Sequence, residues 1–426
     1  MGLGDADLKK SVDEWQAVYQ KNLKGLKSRK YSFRIHEKRN IASALIGVRR
    51  SGKTFAAIEA AKKSGFERVF YFNFEDPLFT SYGTAMDLDR LISVYSEYHN
   101  GTPEFVIFDE IQNVPGWEKW ARKATDMGLY QLVITGSSAK MLSSEIATAL
   151  SGRCLEKKVW PLSFVDFLQF GGVSCRSSDD YLGYFREYMH WGGFPDVVLS
   201  GDESFKKELL RQYLSDIVMR DIMSRNEIRN KRTLDQITNY YFTNLSSCHS
   251  ATAVKNAFQT NIETVQNYTK YLEDAFLVFE VCRFHRNLKV QSRDPKKIYV
   301  IDTGLRNVNT RTSQEETGRL VENIVFIELM RCGVEVYYFK ETQETDFLIT
   351  EHGTPVSAIQ VCDSNMENTK TEQREINGLL ECLRKTGLKN GLILTRSREE
   401  KIKIETFNIE MIPVYKWLLN ENKTFD

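Results

Sequence analysis

Proline is scarce in this chain, with 8 in 426 residues, and histidine scarcer, with 6. So little proline excludes a collagen-like or proline-rich chain, and the scattered histidines give no zinc-ligand spacing. The seven cysteines are odd in number and never spaced Cys-x-x-Cys. That excludes a disulfide scaffold and points to reduced thiols in a cytoplasm. The first ten residues hold Asp5, Asp7, Lys9 and Lys10, unlike a signal peptide. No apolar run approaches the roughly 18 residues that a membrane span requires. Neither sign of charge is in excess: 58 Lys and Arg face 57 Asp and Glu, a net charge of +1. Any basic surface must therefore be local. Internal repeats and low-complexity tracts are also missing.

What is present is an ordinary globular composition, 42% hydrophobic and 27% charged. At about 100–200 residues per domain the length suggests two to four domains, each large enough to bury a core. From Ile41 to about Phe167, short apolar runs alternate with amphipathic stretches. The runs are Ile41–Ile46, Arg68–Phe74, Glu104–Phe108, Gln131–Thr135 and Lys158–Phe164, with room for a helix between each pair. This predicts an α/β unit around a largely parallel sheet. The small, polar stretch from Gly171 to Asp180 reads as a linker. Tyr181 to about Asn244 reads helical, with a turn at Trp191–Pro195 (WGGFP). Residues 301–426 return to an α/β pattern.

One motif dominates. Gly47-Val48-Arg49-Arg50-Ser51-Gly52-Lys53-Thr54 fits G-x-x-x-x-G-K-[ST] in full. An apolar strand ends at it, and an alanine-rich helix beginning at Thr54-Phe55 follows. Glycines at these positions let backbone N–H groups surround phosphates, and the helix N-terminus favours their charge. ATP is the expected ligand, held by residues 47–55, with Lys53 on the β- and γ-phosphates and Thr54 on Mg²⁺. No guanine-reading N-K-x-D motif stands in a usable position.

Such a site needs a second, acidic strand end, and Phe105-Val-Ile-Phe-Asp109-Glu110 supplies it. Asp109 is expected to help hold Mg²⁺. Glu110 is expected to polarise the attacking water, and this second acid points to hydrolysis rather than binding alone. A third strand, Gln131–Thr135, ends in Gly136-Ser137-Ser138. A polar group there would touch the γ-phosphate or the water; Ser137 is favoured, with Thr135 and Ser138 close behind. Arg153, in Leu150-Ser-Gly-Arg, is a candidate arginine finger acting in its own or a neighbour's site.

Taken together, these stretches resemble a family of bacterial and archaeal AAA-plus-like ATPases that carry a C-terminal domain of unknown function. The resembling stretches are GVRRSGKT, YFNFED (Tyr71–Asp76), FDEIQNVPGWE (Phe108–Glu118), ITGSSAKML (Ile134–Leu142), LSGR (Leu150–Arg153) and WPLSFVDF (Trp160–Phe167). Further along come WGGFP, MRDI (Met219–Ile222), YVIDTGLR (Tyr299–Arg306), GRLVENIVFIEL (Gly318–Leu329) and TDFLI (Thr345–Ile349). The resemblance implies a cytoplasmic ATPase with a winged helix and a restriction-nuclease-like C-terminal fold. The expected domains are a P-loop ATPase core over 1–170, a helical lid over 171–244, a winged helix over 245–300 and a nuclease-like α/β domain over 301–426.

In the middle segment, two helices (Ser250–Thr260 and Ile262–Phe276) precede two alternating strands. Between the strands, Cys282–Lys297 holds six Lys or Arg against one Asp, a wing suited to phosphate contact. The second helix carries Glu263, Glu273 and Asp274 against Lys270, which argues against reading base sequence. The basic segment 21–40 could add phosphate contacts or simply be solvated. Double-stranded DNA and a protein are both candidate partners.

In the C-terminal segment, nucleases of the PD-(D/E)XK type need an Asp on one strand, then an acid and a Lys two residues apart on the next, so that all three share a face. Asp346 fits the first place, but Gln360 and Cys362 stand in the other two. Glu322 matches a further acid that some such enzymes use. The fold is therefore expected without the nuclease chemistry. The leading expectation is an ATPase whose hydrolysis drives or times a change at the winged helix and C-terminal domain. Two alternatives are a slow ATP-bound switch regulating DNA or a protein, and an ATP-gated nuclease.

Overall fold

A computed structural model gives the fold and describes residues 4–30, 35, 38–99, 101–137, 150–310, 317–363, 369–420, 423 and 425. The chain divides into two compact units, Met1–Trp160 and Pro161–Asp426.

The first unit is built on five parallel strands: β1 (Ala42–Ile46), β2 (Val69–Asn73), β3 (Phe105–Asp109), β4 (Gln131–Gly136) and β5 (Cys154–Lys158). They lie in the order β2-β3-β4-β1-β5. Strands β1, β3 and β4 are buried along their whole length, as expected of parallel strands with helices on both faces. The helices are α1 (Asp5–Lys24), α2 (Lys53–Ser64), α3 (Pro77–Tyr82), α4 (Ala85–Tyr98) and α5 (Trp117–Met127). Helix α1 buries Leu8, Val12 and Tyr19, a stripe at helical spacing. It is pinned to β2 by Gln16 Nε2 donating to the Tyr71 carbonyl at 3.0 Å.

Four of the five expected strands match within a residue or so at each end. The fifth does not: the strand is Cys154–Lys158, and the apolar run expected there starts where it stops. Strand β5 is an edge strand, paired on one side to β1, and its Leu155–Lys158 side chains are exposed. Such a strand needs no apolar pattern. The buried residues that follow it serve packing without being extended in the sheet.

The second unit begins with helices, among them Phe164–Phe170, Ser178–Trp191 and Glu203–Asp216. A π-helical stretch, Ile217–Met223, continues the last of these and contains the MRDI motif. Next come the helix Lys231–Thr243, β6 (Ser247–His249), helices Ala251–Phe258 and Ile262–Asp274, β7 (Val278–Val281) and β8 (Lys296–Val300). The three strands form an antiparallel sheet in the order β6-β8-β7. A mixed six-stranded sheet follows, made of β9 (Glu335–Lys340), β10 (Glu344–Glu351), β11 (Thr354–Cys362), β12 (Asn390–Thr395), β13 (Glu400–Ile404) and β14 (Phe407–Pro413). Its order is β13-β14-β12-β11-β10-β9. The helix Thr369–Thr386 packs Ile376, Leu379, Leu380 and Leu383 into its core.

The WGGFP and YVIDTGLR motifs interlock in this unit. Asp302 caps the helix Thr303–Asn309 through Leu305 N and also accepts from Gly193 N at 2.7 Å. A Cβ on Gly304 would sit 2.0 Å from the Trp191 carbonyl oxygen. Both motifs thus exist because two backbones meet where no side chain fits.

Candidate nucleotide-binding and catalytic site

Parallel strands bring the C-terminal ends of β1, β3 and β4 to one edge of the sheet, where open α/β sheets bind ligands. The loop from Gly47 to Gly52 leaves β1 there and runs into α2. Gly47, Arg50 and Gly52 adopt positive φ. A Cβ on Gly47 would lie 2.2 Å from the Val159 carbonyl oxygen, so backbone packing fixes this glycine. Lys53 is buried and donates to the Gly47 and Val48 carbonyls at 3.2 Å each. Val48 is buried, Arg49 pairs with Glu75 at 2.7 Å, and Phe55 on α2 is partly exposed. The loop is also held from behind. Arg29, buried, donates to the Trp160 carbonyl at 2.8 Å and to the Ser51 carbonyl. One residue of the basic 21–40 segment therefore braces the loop from inside the fold.

Asp109 is the hub of the site. Its Oδ2 accepts from Thr54 Oγ1 at 2.7 Å, Tyr71 OH at 3.1 Å and Asn73 Nδ2 at 3.2 Å. Its Oδ1 accepts from Thr135 Oγ1. Burial raises the Asp109 carboxyl above its ordinary value, and the Glu110 charge adds to this. The bonds from Thr135 and Thr54 and the charge of Lys53 pull the other way. Thr54 and Asp109 together offer hard oxygen donors side by side, which suits Mg²⁺.

Glu110 has a left-handed backbone, φ 52 and ψ 43. Its N–H donates to Thr135 Oγ1 at 3.1 Å. Its Oε2 accepts from Ser137 Oγ at 3.2 Å and from Gln112 Nε2, and its Oε1 lies 3.9 Å from Lys53 Nζ. Lys53, Thr54, Asp109, Glu110, Thr135 and Ser137 thus converge. Ser138 lies outside the described residues.

Arg153 is placed elsewhere. It precedes β5 directly, and the register sets Cys154 against Ala42, at the start of β1. A five-residue strand spans roughly 16 Å, so Arg153 sits at the opposite end of the sheet from Gly47. There it is ion-paired to Asp126. Within one chain it does not reach the phosphate loop.

Sequence reasoning missed Tyr71, Asn73 and Gln112. The first two were visible as polar groups two residues apart in the otherwise apolar strand VFYFN. Gln112 sat unassigned inside FDEIQ.

In the second unit, Glu322 and Asp346 come together around an unexpected residue, Lys297 of β8, and Gln360 joins them through Asp346. The Lys297 ammonium lies 3.0 Å from Glu322 Oε1, 2.8 Å from Glu344 Oε1 and 3.0 Å from Asp346 Oδ1. Gln360 Nε2 donates to Asp346 Oδ2 at 2.9 Å and to Glu375 Oε2 at 2.5 Å. Cys362 is buried.

Residues 39–168 match the model of a AAA domain, and residues 182–316 match that of a domain of unknown function. An uncharacterised protein of Methanocaldococcus jannaschii is 35% identical over 403 residues, covering 89% of this chain and 88% of that protein. One from Haemophilus influenzae is 32% identical over 385 residues, covering 88% and 93%. Among solved structures, AMPPCP-bound DnaA from Aquifex aeolicus is similar at 16% identity and a TM-score of 0.26, over 64% of this chain and 89% of that one. A superposition this loose adds nothing to the sequence match. The chain belongs to one family with these archaeal and bacterial proteins, and its residues 39–168 are a AAA-type P-loop domain with the αβ architecture of a P-loop NTPase.

Proposed function

We propose that this protein binds ATP with Mg²⁺ and hydrolyses it, and that hydrolysis drives or times a change at the elements of the second unit. The observation that carries the reading is the convergence of Thr54, Asp109 and Glu110 on the end of the sheet that holds Lys53. The loop's N–H groups and Lys53 hold the phosphates. When bound, Mg²⁺ supplies charge neutralisation on the phosphate oxygens, with Thr54 and Asp109 as its protein donors. Glu110 takes a proton from water as the water oxygen bonds to the γ-phosphorus. The bond from that phosphorus to the bridging oxygen breaks, and ADP leaves with the electron pair.

The second unit is read as a winged helix followed by a nuclease-like domain. The order helix, β6, helix, helix, β7, β8 supports the first part. The tip between β7 and β8 exposes Arg286, Lys289 and Arg293, and Asp294 is paired to Arg283. That tip offers a duplex phosphate backbone a cationic surface. Asp346 and Gln360 on paired strands support the second part. The ammonium of Lys297 among the carboxylates supports a domain without nuclease chemistry, because it stands where a cation would have to bind. Plasmid DNA incubated with Mg²⁺ or Mn²⁺ should stay intact, and cutting that is lost in Asp346→Ala would refute this.

The main test is steady-state phosphate release from ATP and Mg²⁺, with and without duplex DNA. Glu110→Gln should keep nucleotide binding and lose about 10²–10⁴ in turnover. Equal turnover in the variant would remove Glu110 as the base. Tight binding without turnover in either condition would favour the ATP-bound switch.

A further inference from the structure

The residue FDEIQ leaves unexplained is its glutamine. Gln112 lies in the single 3₁₀ turn Ile111–Asn113 that follows Glu110. The left-handed backbone at Glu110 reverses the chain, so the side chain at 112 folds back over the one at 110. The reversal is held firmly. Asn113 Nδ2 donates to the Phe74 carbonyl at 3.2 Å, Asn113 N to the Glu110 carbonyl at 3.2 Å, and Ile111 is fully buried. A left-handed non-glycine residue costs about 1–3 kcal/mol and persists where the surroundings dictate it, often at functional sites.

An ionised carboxylate only accepts hydrogen bonds, so the amide must turn its NH₂ toward Glu110, and Gln112 Nε2 does donate there. That fixes the other end. Gln112 Oε1 is buried and has no hydrogen-bond partner among the described residues. Leaving a buried acceptor unmade costs about 1–3 kcal/mol. Pinning Glu110 does not explain this cost, because Ser137 already donates to the same oxygen. A γ-phosphate cannot satisfy the acceptor, since it offers acceptors of its own. A water molecule can, because it has two hydrogens. One would go to Glu110 Oε1, the oxygen left free by Ser137 and Gln112, and the other to Gln112 Oε1.

We infer that Gln112 is the positioning residue that orients the attacking water against Glu110. This rests on the ATPase reading above. The water gives one proton to Glu110 while Gln112 holds the other and thereby aims the lone pair at the γ-phosphorus. Glutamine has no proton to gain or lose in the step, so it sets direction and not driving force.

The test is phosphate release by the full chain with Gln112→Ala, Gln112→Asn and Gln112→Glu, alongside Glu110→Gln. Binding of a non-hydrolysable ATP analogue and the thermal midpoint are measured on each. Gln112→Ala should keep analogue affinity within about twofold and lose about 10²-fold in kcat. Gln112→Glu keeps the reach but places a second carboxylate beside Glu110. An ionised carboxylate has no N–H to donate to Glu110, so kcat should fall as in Gln112→Ala with analogue affinity kept. A purely structural glutamine would lower the midpoint, whereas a positioning one loses kcat with the midpoint and the analogue affinity kept. Turnover within threefold of wild type in Gln112→Ala, with Glu110→Gln inactive, overturns this inference and leaves the ATPase standing. A wild type that binds the analogue without releasing phosphate overturns both. If Gln112→Ala does not fold, Gln112→Asn decides: its shorter arm should bring the same loss in kcat with the midpoint kept.

Discussion

Thr135 does what no apolar residue of its size could do. Its hydroxyl donates to Asp109 and accepts from the Glu110 N–H, so it ties the Asp109 carboxylate to the backbone of Glu110. Thr135→Val keeps the volume and strands both partners in a dry setting. The expected loss is about 1–3 kcal/mol of stability, read by denaturant unfolding. Asp109 also loses a donor that holds its carboxyl down. The pH below which turnover fails should therefore rise in the variant. At Lys297, burial opposes the charge, yet Asp346 and Glu322 outweigh it and hold the ammonium well above its usual range. Glu322 is pushed up to about 8 by burial, with Asp346 adding, against Lys297 and Tyr299. The folded state thus keeps a proton that an unfolded Glu322 would already have released. By linkage, stability falls as pH rises from about 4.5 toward about 8 and is flat in this respect above it. Glu322→Gln should abolish that decline, and chemical unfolding at pH 5, 6.5 and 8 measures it.

Among the elements, legibility followed locality. The phosphate loop was readable because strand, glycines, lysine and helix lie within about a dozen consecutive residues. The β3 acids were readable because an apolar run ends in them. Lys297 was not, because its partners Glu322, Glu344 and Asp346 come from a separate helix and sheet and share no spacing with it. Strand β5 was displaced because an exposed edge strand writes no apolar pattern, and this moved Arg153 to the far end of the sheet. WGGFP and YVIDTGLR were visible only as two separate motifs. Their contact explains both, and it can be tested. A methyl group on Gly304 meets backbone, which cannot swing aside. Gly304→Ala should cost at least about 1–3 kcal/mol, the usual cost of overpacking. The mutation Gly65→Ala, which meets open space but at positive φ, serves as a comparison for backbone strain alone.

At the scale of the whole molecule, two units with separate cores imply two cooperative transitions. A ligand that binds one folded unit stabilises that unit by about 2.7 kcal/mol at a hundred times its Kd. Calorimetry with a non-hydrolysable ATP analogue should therefore raise one transition, which Lys53→Ala should return to its ligand-free position. A single transition that moves as a whole would mean that the two units unfold together.

The guanidinium of Arg29 has a mechanical consequence. It grips the phosphate loop at the Ser51 carbonyl and, with its other arm, the carbonyl of Trp160, the last residue of the first unit. Hydrogen bonds to a buried charge are costly to break. A loop that shifts around its ligand must then either rupture that tie or tug on the chain where it leaves the unit. Arg29 is thus a cord knotted at both ends, tying the loop to the segment where the first unit ends.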